Sequence, residues 1–215
     1  LSRLDSLQQE VLKAFFKYES HFFLTGGAAL AGFHLRHRTT KDLDLFTTED
    51  RLEEGAAALA AVAREVGGSL ESLVVYVDFR RYLLRRGSSS VVVELVRDRA
   101  PQLIDEKISV ESIRIDPPEE IIANKLCTLL SRAEIRDLVD LRALEEAGYR
   151  VEDHLEQATH KDAGLTPGQL AWVLSQIVIG DDARLPEGVS VDELRQYLDD
   201  LETRLTKMAF PASRA

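Results

Sequence analysis

The stretch His21–Thr47, HFFLTGGAALAGFHLRHRTTKDLDLFT, constrains this chain more than any other. It predicts a short apolar strand (Phe22, Phe23, Leu24), a Gly26-Gly27 turn, a helix of small residues, a basic loop and a second strand that carries Asp42 and Asp44. A glycine pair turns tightly and lets a bulky anion approach the backbone, because no Cβ stands in the way. With Gly27 opening the helix, its N–H groups and the positive end of its dipole would face a docking phosphate. Along a strand, side chains alternate, so Asp42 and Asp44 share one face while Leu43 and Leu45 point into a core. Two aligned carboxylates beside a phosphate-binding turn suit Mg²⁺ and a nucleoside triphosphate.

The rest of the chain alternates in character. Leu4, Leu7, Val11, Phe15 and Tyr18 predict a helix over 4–18. Thr47 or Thr48 is expected to cap an Ala-rich helix that runs to about Val66 and stops at Gly67-Gly68. Strands are expected at Leu73–Phe79, Arg81–Leu84 and Val91–Val96, the last two joined by a turn at Gly87-Ser88-Ser89. Glu94 interrupts an otherwise apolar run: either it emerges at a sheet edge, or it faces the same site as Asp42 and Asp44. Val110–Ile115 reads as a final strand, and Pro117-Pro118 breaks it. Helices follow over EEIIANKLCTLLSR, Ala133–Ala147, Val151–His160, Pro167–Ile177 and Val191–Lys207. The expected class is therefore α/β (α+β), a mixed sheet with flanking helices and a C-terminal helical bundle, divided into residues 1–116 and 117–215.

Composition narrows the function classes. With 45% hydrophobic and 30% charged residues the chain is an ordinary globular protein, and no apolar run is long enough to span a bilayer. One cysteine, Cys127, set among leucines, fits a packed thiol and a reducing cytoplasm. A net charge of −10 argues against whole-surface attraction to nucleic acid, so a polyanion would need a local patch. Arg36, His37, Arg38 and Lys41 form one basic cluster, and Arg80, Arg81, Arg85 and Arg86 a second. Lys125 lies on a helix with apolar neighbours, where an ammonium ordinarily snorkels. Asp137 and Asp140, three apart, share a helical face.

In order along the chain, FLTGGAALA, HRTTKDLDLF, VVVELVRD, IIANKLCTLLSR and RDLVDLRAL resemble the nucleotidyltransferase family of AbiEii type, toxins of abortive-infection and toxin–antitoxin systems in the DNA polymerase β-like nucleotidyltransferase superfamily. The resemblance spans about Phe22 to Leu144. It implies that Gly26 and Gly27 contact nucleotide phosphates, that Asp42 and Asp44 bind Mg²⁺, and that Glu94 is the third carboxylate and a base for the acceptor hydroxyl. It assigns Lys125 to the phosphates and Asp137 to the acidic position of the last motif, with Asp140 as second candidate; Arg38 is the further phosphate contact expected here. A glutamate stands where the family has an aspartate, one methylene longer. The implied activity is transfer of NMP from an NTP to a macromolecular acceptor such as a tRNA 3′ end, with a cognate antitoxin as partner. A nucleotide-binding module without transfer, and a small-molecule nucleotidyltransferase of aminoglycoside type, are the competing readings; the negative charge suits a cationic acceptor.

Overall fold

The computed structural model describes residues 3–186 and 188–211. The chain forms two compact units. One is built from the chain up to Arg99 together with Ile104–Pro117, the other from Ala100–Leu103 together with the chain from Pro118 onward.

The first unit holds a seven-stranded mixed sheet. Helix α1 (Ser6–Tyr18) opens with a capping box, in which the Asp5 side chain accepts from the Gln8 N–H and the Gln8 side chain accepts from the Asp5 N–H. Then come β1 (Phe23–Thr25), the single turn α2 (Gly26–Ala29), a π-helical turn over Leu30–His34, and β2 (Asp42–Thr47). Helix α3 (Leu52–Glu65) precedes β3 (Ser69–Val75), β4 (Phe79–Arg86), β5 (Ser89–Arg97), β6 (Ile108–Val110) and β7 (Ile113–Ile115). The strand order is β3-β4-β5-β2-β1-β7-β6. Strand β2 runs parallel to β5, and β1 parallel to β7; the other neighbours are antiparallel.

Alternation decides what each sheet face does. Leu43, Leu45, Val91, Val93 and Leu95 are buried on one face. Helix α3 covers that face at Leu95: a Cβ on Gly55 would lie 2.6 Å from the Phe22 ring and 3.2 Å from Leu95. The intervening residues, Asp42, Asp44, Val92, Glu94 and Val96, are only half-buried and look the other way.

Three expectations need correction. The expected strand Leu73–Phe79 spans a turn: β3 ends at Val75, the Tyr76 N–H donates to the Phe79 carbonyl at 2.7 Å, and Phe79 already begins β4. Neither Thr47 nor Thr48 caps α3, which starts at Leu52 after Arg51; Thr47 completes β2 and uses its hydroxyl to accept from the Glu49 N–H at 3.2 Å. The expected strand Val110–Ile115 is instead a hairpin, β6–β7, whose turn residues Glu111 and Ser112 have φ of 48° and 72°. A two-residue hairpin turn of this hand needs positive φ at both centres, which Gly or Asn usually supplies. Neither is present here, so the turn leaves no mark in the residue types.

The second unit is helical: α4 (Pro118–Arg132), α5 (Ile135–Glu146), α6 (Val151–Lys161), α7 (Pro167–Ser175) and α8 (Val191–Ala209). Thr166 and Ser190 cap α7 and α8 through their hydroxyls. The Ala100–Leu103 segment is fastened to this unit by a buried ion pair between Glu120 and Lys161. Leu103 N–H donates to Glu120 at 2.9 Å, and Lys161 Nζ donates to the Pro101 carbonyl at 3.0 Å. Among the described residues, no helix is long and apolar enough to cross a membrane.

Candidate active site

The half-buried face of the sheet gathers the charged side chains. In the parallel β2–β5 pair Asp42 stands beside Val92 and Asp44 beside Glu94. In-register neighbours point to the same face, so Asp42, Asp44 and Glu94 all look one way. Strand β5 lies between β4 and β2, so Glu94 occupies the interior of the sheet rather than its edge. The row through Asp44 continues on both sides: Thr25 of β1 opposes Asp44, and Arg81 of β4 opposes Glu94. A parallel row of Phe79, Val96, Phe46 and Phe23 borders it with apolar surface.

Arg81 engages Glu94 directly. Its Nε and Nη2 donate to Glu94 Oε1 at 2.8 and 2.5 Å, and its guanidinium lies 5.4 Å from the centre of the Phe79 ring. The rest of the second basic cluster is dispersed. Arg80 pairs with Glu53 on α3, Arg85 with Glu71, and Arg86 with Glu10 on α1. Four arginines within seven residues of sequence therefore make four matched pairs. Arg81 was the partner hardest to single out from sequence, yet a signal exists. A two-residue turn at Gly87-Ser88 pairs Arg86 with Ser89 and, counting back along both strands, Arg81 with Glu94.

The glycine pair sits against this row. Gly26 has φ of +61°, a left-handed conformation that disfavours any side chain, and it begins α2 one residue earlier than expected. A Cβ placed on Gly26 would lie 2.5 Å from Asp44 Oδ2; one on Gly27 would lie 2.5 Å from Arg38 Nη2. The two glycines thus let backbone approach a carboxylate on one side and a guanidinium on the other. Arg38 is buried, and its Nη1 donates to the Thr39 carbonyl at 3.1 Å. Beyond α2 the helix widens: the N–H groups of Leu35 and Arg36 both reach the Leu30 carbonyl, at 2.7 and 3.2 Å.

The other expected residues lie in the helical unit and form a cluster of their own. Lys125 Nζ on α4 is 2.7 Å from Asp137 Oδ1 and 2.7 Å from Asp140 Oδ2 on α5. Arg132 Nε lies 3.4 Å from the other oxygen of Asp137. All three members of the triad are buried. Burial by itself would push the Lys125 ammonium down in pKa, but the carboxylates of Asp140 and Asp137 outweigh it, and the value is raised. Lys125 is therefore charged, and its charge is matched twice over.

The donor set can be weighed against Mg²⁺. Among the described residues no three His, Cys, Asp or Glu side chains are gathered closely enough to hold a metal ion. Magnesium, however, is commonly bound by one or two carboxylates, with waters and substrate phosphates completing its shell. Asp42 and Asp44, on one face and beside the exposed backbone of Gly26, fit that mode. Thr25 adds to the fit: it is buried opposite Asp44, and its Oγ1 has no hydrogen-bond partner among the described residues. Glu94 stands beside Asp44 on the same face, and Arg81 engages its Oε1.

Comparison with known proteins bears on the fold and the family. Two solved structures have the same fold: a proposed nucleotidyltransferase from H. pylori, at 21% identity and a TM-score of 0.60, covering 94% of this chain and 92% of that one; and JHP933 from Helicobacter pylori, at 24% identity and a TM-score of 0.60, covering 94% and 90%. No curated protein matches the chain. The model of the nucleotidyl transferase AbiEii toxin family, type IV toxin–antitoxin system, matches residues 10–210, so it extends beyond Leu144 into the helices where no motif was legible. With that match over nearly its whole length, and with Asp42, Asp44 and Glu94 on one sheet face, the chain belongs to the AbiEii nucleotidyl transferase toxin family.

Proposed function

We propose that this nucleotidyltransferase transfers NMP from an NTP to a macromolecular acceptor in a Mg²⁺-dependent reaction that releases pyrophosphate, the 3′ end of a tRNA being the first acceptor to test. Family membership itself implies an NTP substrate and a cognate antitoxin. The observation that carries the reading is the register of β2 with β5, which sets Glu94 beside Asp44 and two residues from Asp42 on one face.

In this reading Asp42 and Asp44 hold the metal, with Glu94 as third carboxylate and base for the acceptor hydroxyl. Bound Mg²⁺ would neutralise triphosphate charge and lower the pKa of the attacking hydroxyl. Gly26 and Gly27 let phosphate oxygens reach the backbone, and Arg38, packed on Gly27, supplies positive charge. Phosphoryl-type transfer needs positioning and charge stabilisation more than covalent help, and these residues offer both. Lys125, Asp137 and Asp140 enter as one ion-paired cluster joining α4 to α5, with Arg132 as the second cation beside Asp137. A phosphate contact by Lys125 would be made by an ammonium already held by two carboxylates.

Pyrophosphate release, measured with tRNA, with other RNA and with cationic aminoglycosides as acceptors, tests the assignment. Release stimulated by tRNA alone supports it, and release stimulated only by a small cation assigns the acceptor to the other class. The binding-module alternative draws support from the Arg81–Glu94 pair. Mg²⁺-dependent NTP binding with no release across all acceptors would favour it.

A further inference from the structure

We infer that Arg81 is a latch on Glu94: a positioning residue that holds the third carboxylate towards β4 and away from the Asp42–Asp44 pair until a metal ion competes for it. The inference rests on the proposed metal site and names what regulates access to it.

Three observations converge. The pair is set by backbone register and not by a chance meeting of long side chains, because Arg81 and Glu94 are cross-strand partners in β4–β5. Both guanidinium donors, Nε and Nη2, go to a single oxygen, Oε1. The guanidinium also rests on Phe79, two residues back on the same strand face, which fixes its orientation. The side chains are 44% and 17% exposed, so the pair lies where an ion arriving from solvent reaches it.

The energetics allow a switch. A partly exposed ion pair contributes modestly to stability, so a divalent cation beside two further carboxylates can outbid a single guanidinium for Glu94. Arg81 is then released on the face to which the triphosphate or the acceptor backbone brings negative charge. The same exchange keeps a carboxylate-rich face neutralised when no metal is present. Arg80, Arg85 and Arg86 cannot substitute, since each is paired elsewhere.

The test is a Mn²⁺ titration of the whole chain, followed by electron paramagnetic resonance without any nucleotide. It compares wild type, Arg81→Gln, Glu94→Gln and the double variant, with Arg85→Gln as a control that removes an equal charge from the same strand. The latch predicts that Arg81→Gln binds Mn²⁺ about 1.4- to fivefold tighter, the range that release of such a pair is worth. Arg85→Gln should match wild type, and the gain should vanish when Glu94→Gln is also present. Binding by Arg81→Gln equal to or weaker than wild type overturns the latch, as does an equal gain in Arg85→Gln. Asp42→Asn and Asp44→Asn are run alongside. If they leave Mn²⁺ binding intact, the metal site itself is misplaced, a failure distinct from that of the latch. Circular dichroism and thermal melting confirm that each variant is folded.

Discussion

Gly26 and Asp44 are in such close contact that a single methyl group on the glycine would lie 2.5 Å from the carboxylate oxygen Oδ2. The glycine that begins the first turn after β1 and the second aspartate of DLDLF are thus fitted to each other. Gly26→Ala should displace the carboxylate and force φ of +61° on a residue with a Cβ, costing about 1–2 kcal/mol in stability. Activity should fall much further than stability. Gly27→Ala meets only the end of the Arg38 side chain, so its effect on kcat should be the smaller of the two. Steady-state transfer rates for the pair, with chemical denaturation alongside, check the asymmetry.

Asp42→Asn and Asp44→Asn remove charge from a half-buried sheet face and leave the packed face untouched. Each should lower kcat by about 100-fold or more, in line with loss of a group that stabilises developing charge, while the melting temperature stays close to wild type. A variant that melts normally and transfers at the wild-type rate would remove that aspartate from the site.

Lys125 has the opposite profile. Lys125→Met removes from buried Asp137 and Asp140 the ammonium they share, which should destabilise the protein by about 3–5 kcal/mol. Urea unfolding reads this directly. Should Lys125→Met instead unfold like wild type and raise KM for NTP, the ammonium would be a phosphate contact first and a structural one second.

The same cluster gives a pH dependence with a definite sign. The folded-state pKa of Lys125 is raised above its ordinary value of about 10.4. Its contribution to stability is complete below that value and is lost as the pH rises through the folded pKa. Wild type should therefore lose stability above about pH 10.4 more steeply than Lys125→Met, as followed by thermal melting across an alkaline series.

Much of this site was legible in the residues because period-two patterns map directly onto sheet faces. Asp42 and Asp44 flank Leu43, and Glu94 lies between Val93 and Leu95, so each carboxylate opposes a core position. The ordered motifs added the family. What stayed hidden depends on pairing across distance. The partner of Glu94 emerges only when the Gly87-Ser88 turn is used to count the β4–β5 register, and the second basic cluster otherwise reads as one patch when it is four separate ion pairs. The β6–β7 turn was invisible because Glu111 and Ser112 adopt positive φ without being glycine or asparagine. The attachment of Ala100–Leu103 to the helical unit rests on Glu120 and Lys161, forty-one positions apart, and no local pattern announces it.

The most direct test of nucleotidyl transfer from the Asp42–Asp44–Glu94 face is to incubate the purified protein with Mg²⁺, each α-³²P-labelled NTP in turn, and total bacterial RNA. The products are resolved on a denaturing gel beside those of Asp42→Ala. The account predicts label in a tRNA-sized band from wild type and from at least one NTP, absent with Asp42→Ala and absent when Mg²⁺ is chelated. No label in RNA, protein or small molecules from any NTP, or equal labelling by Asp42→Ala, would contradict it.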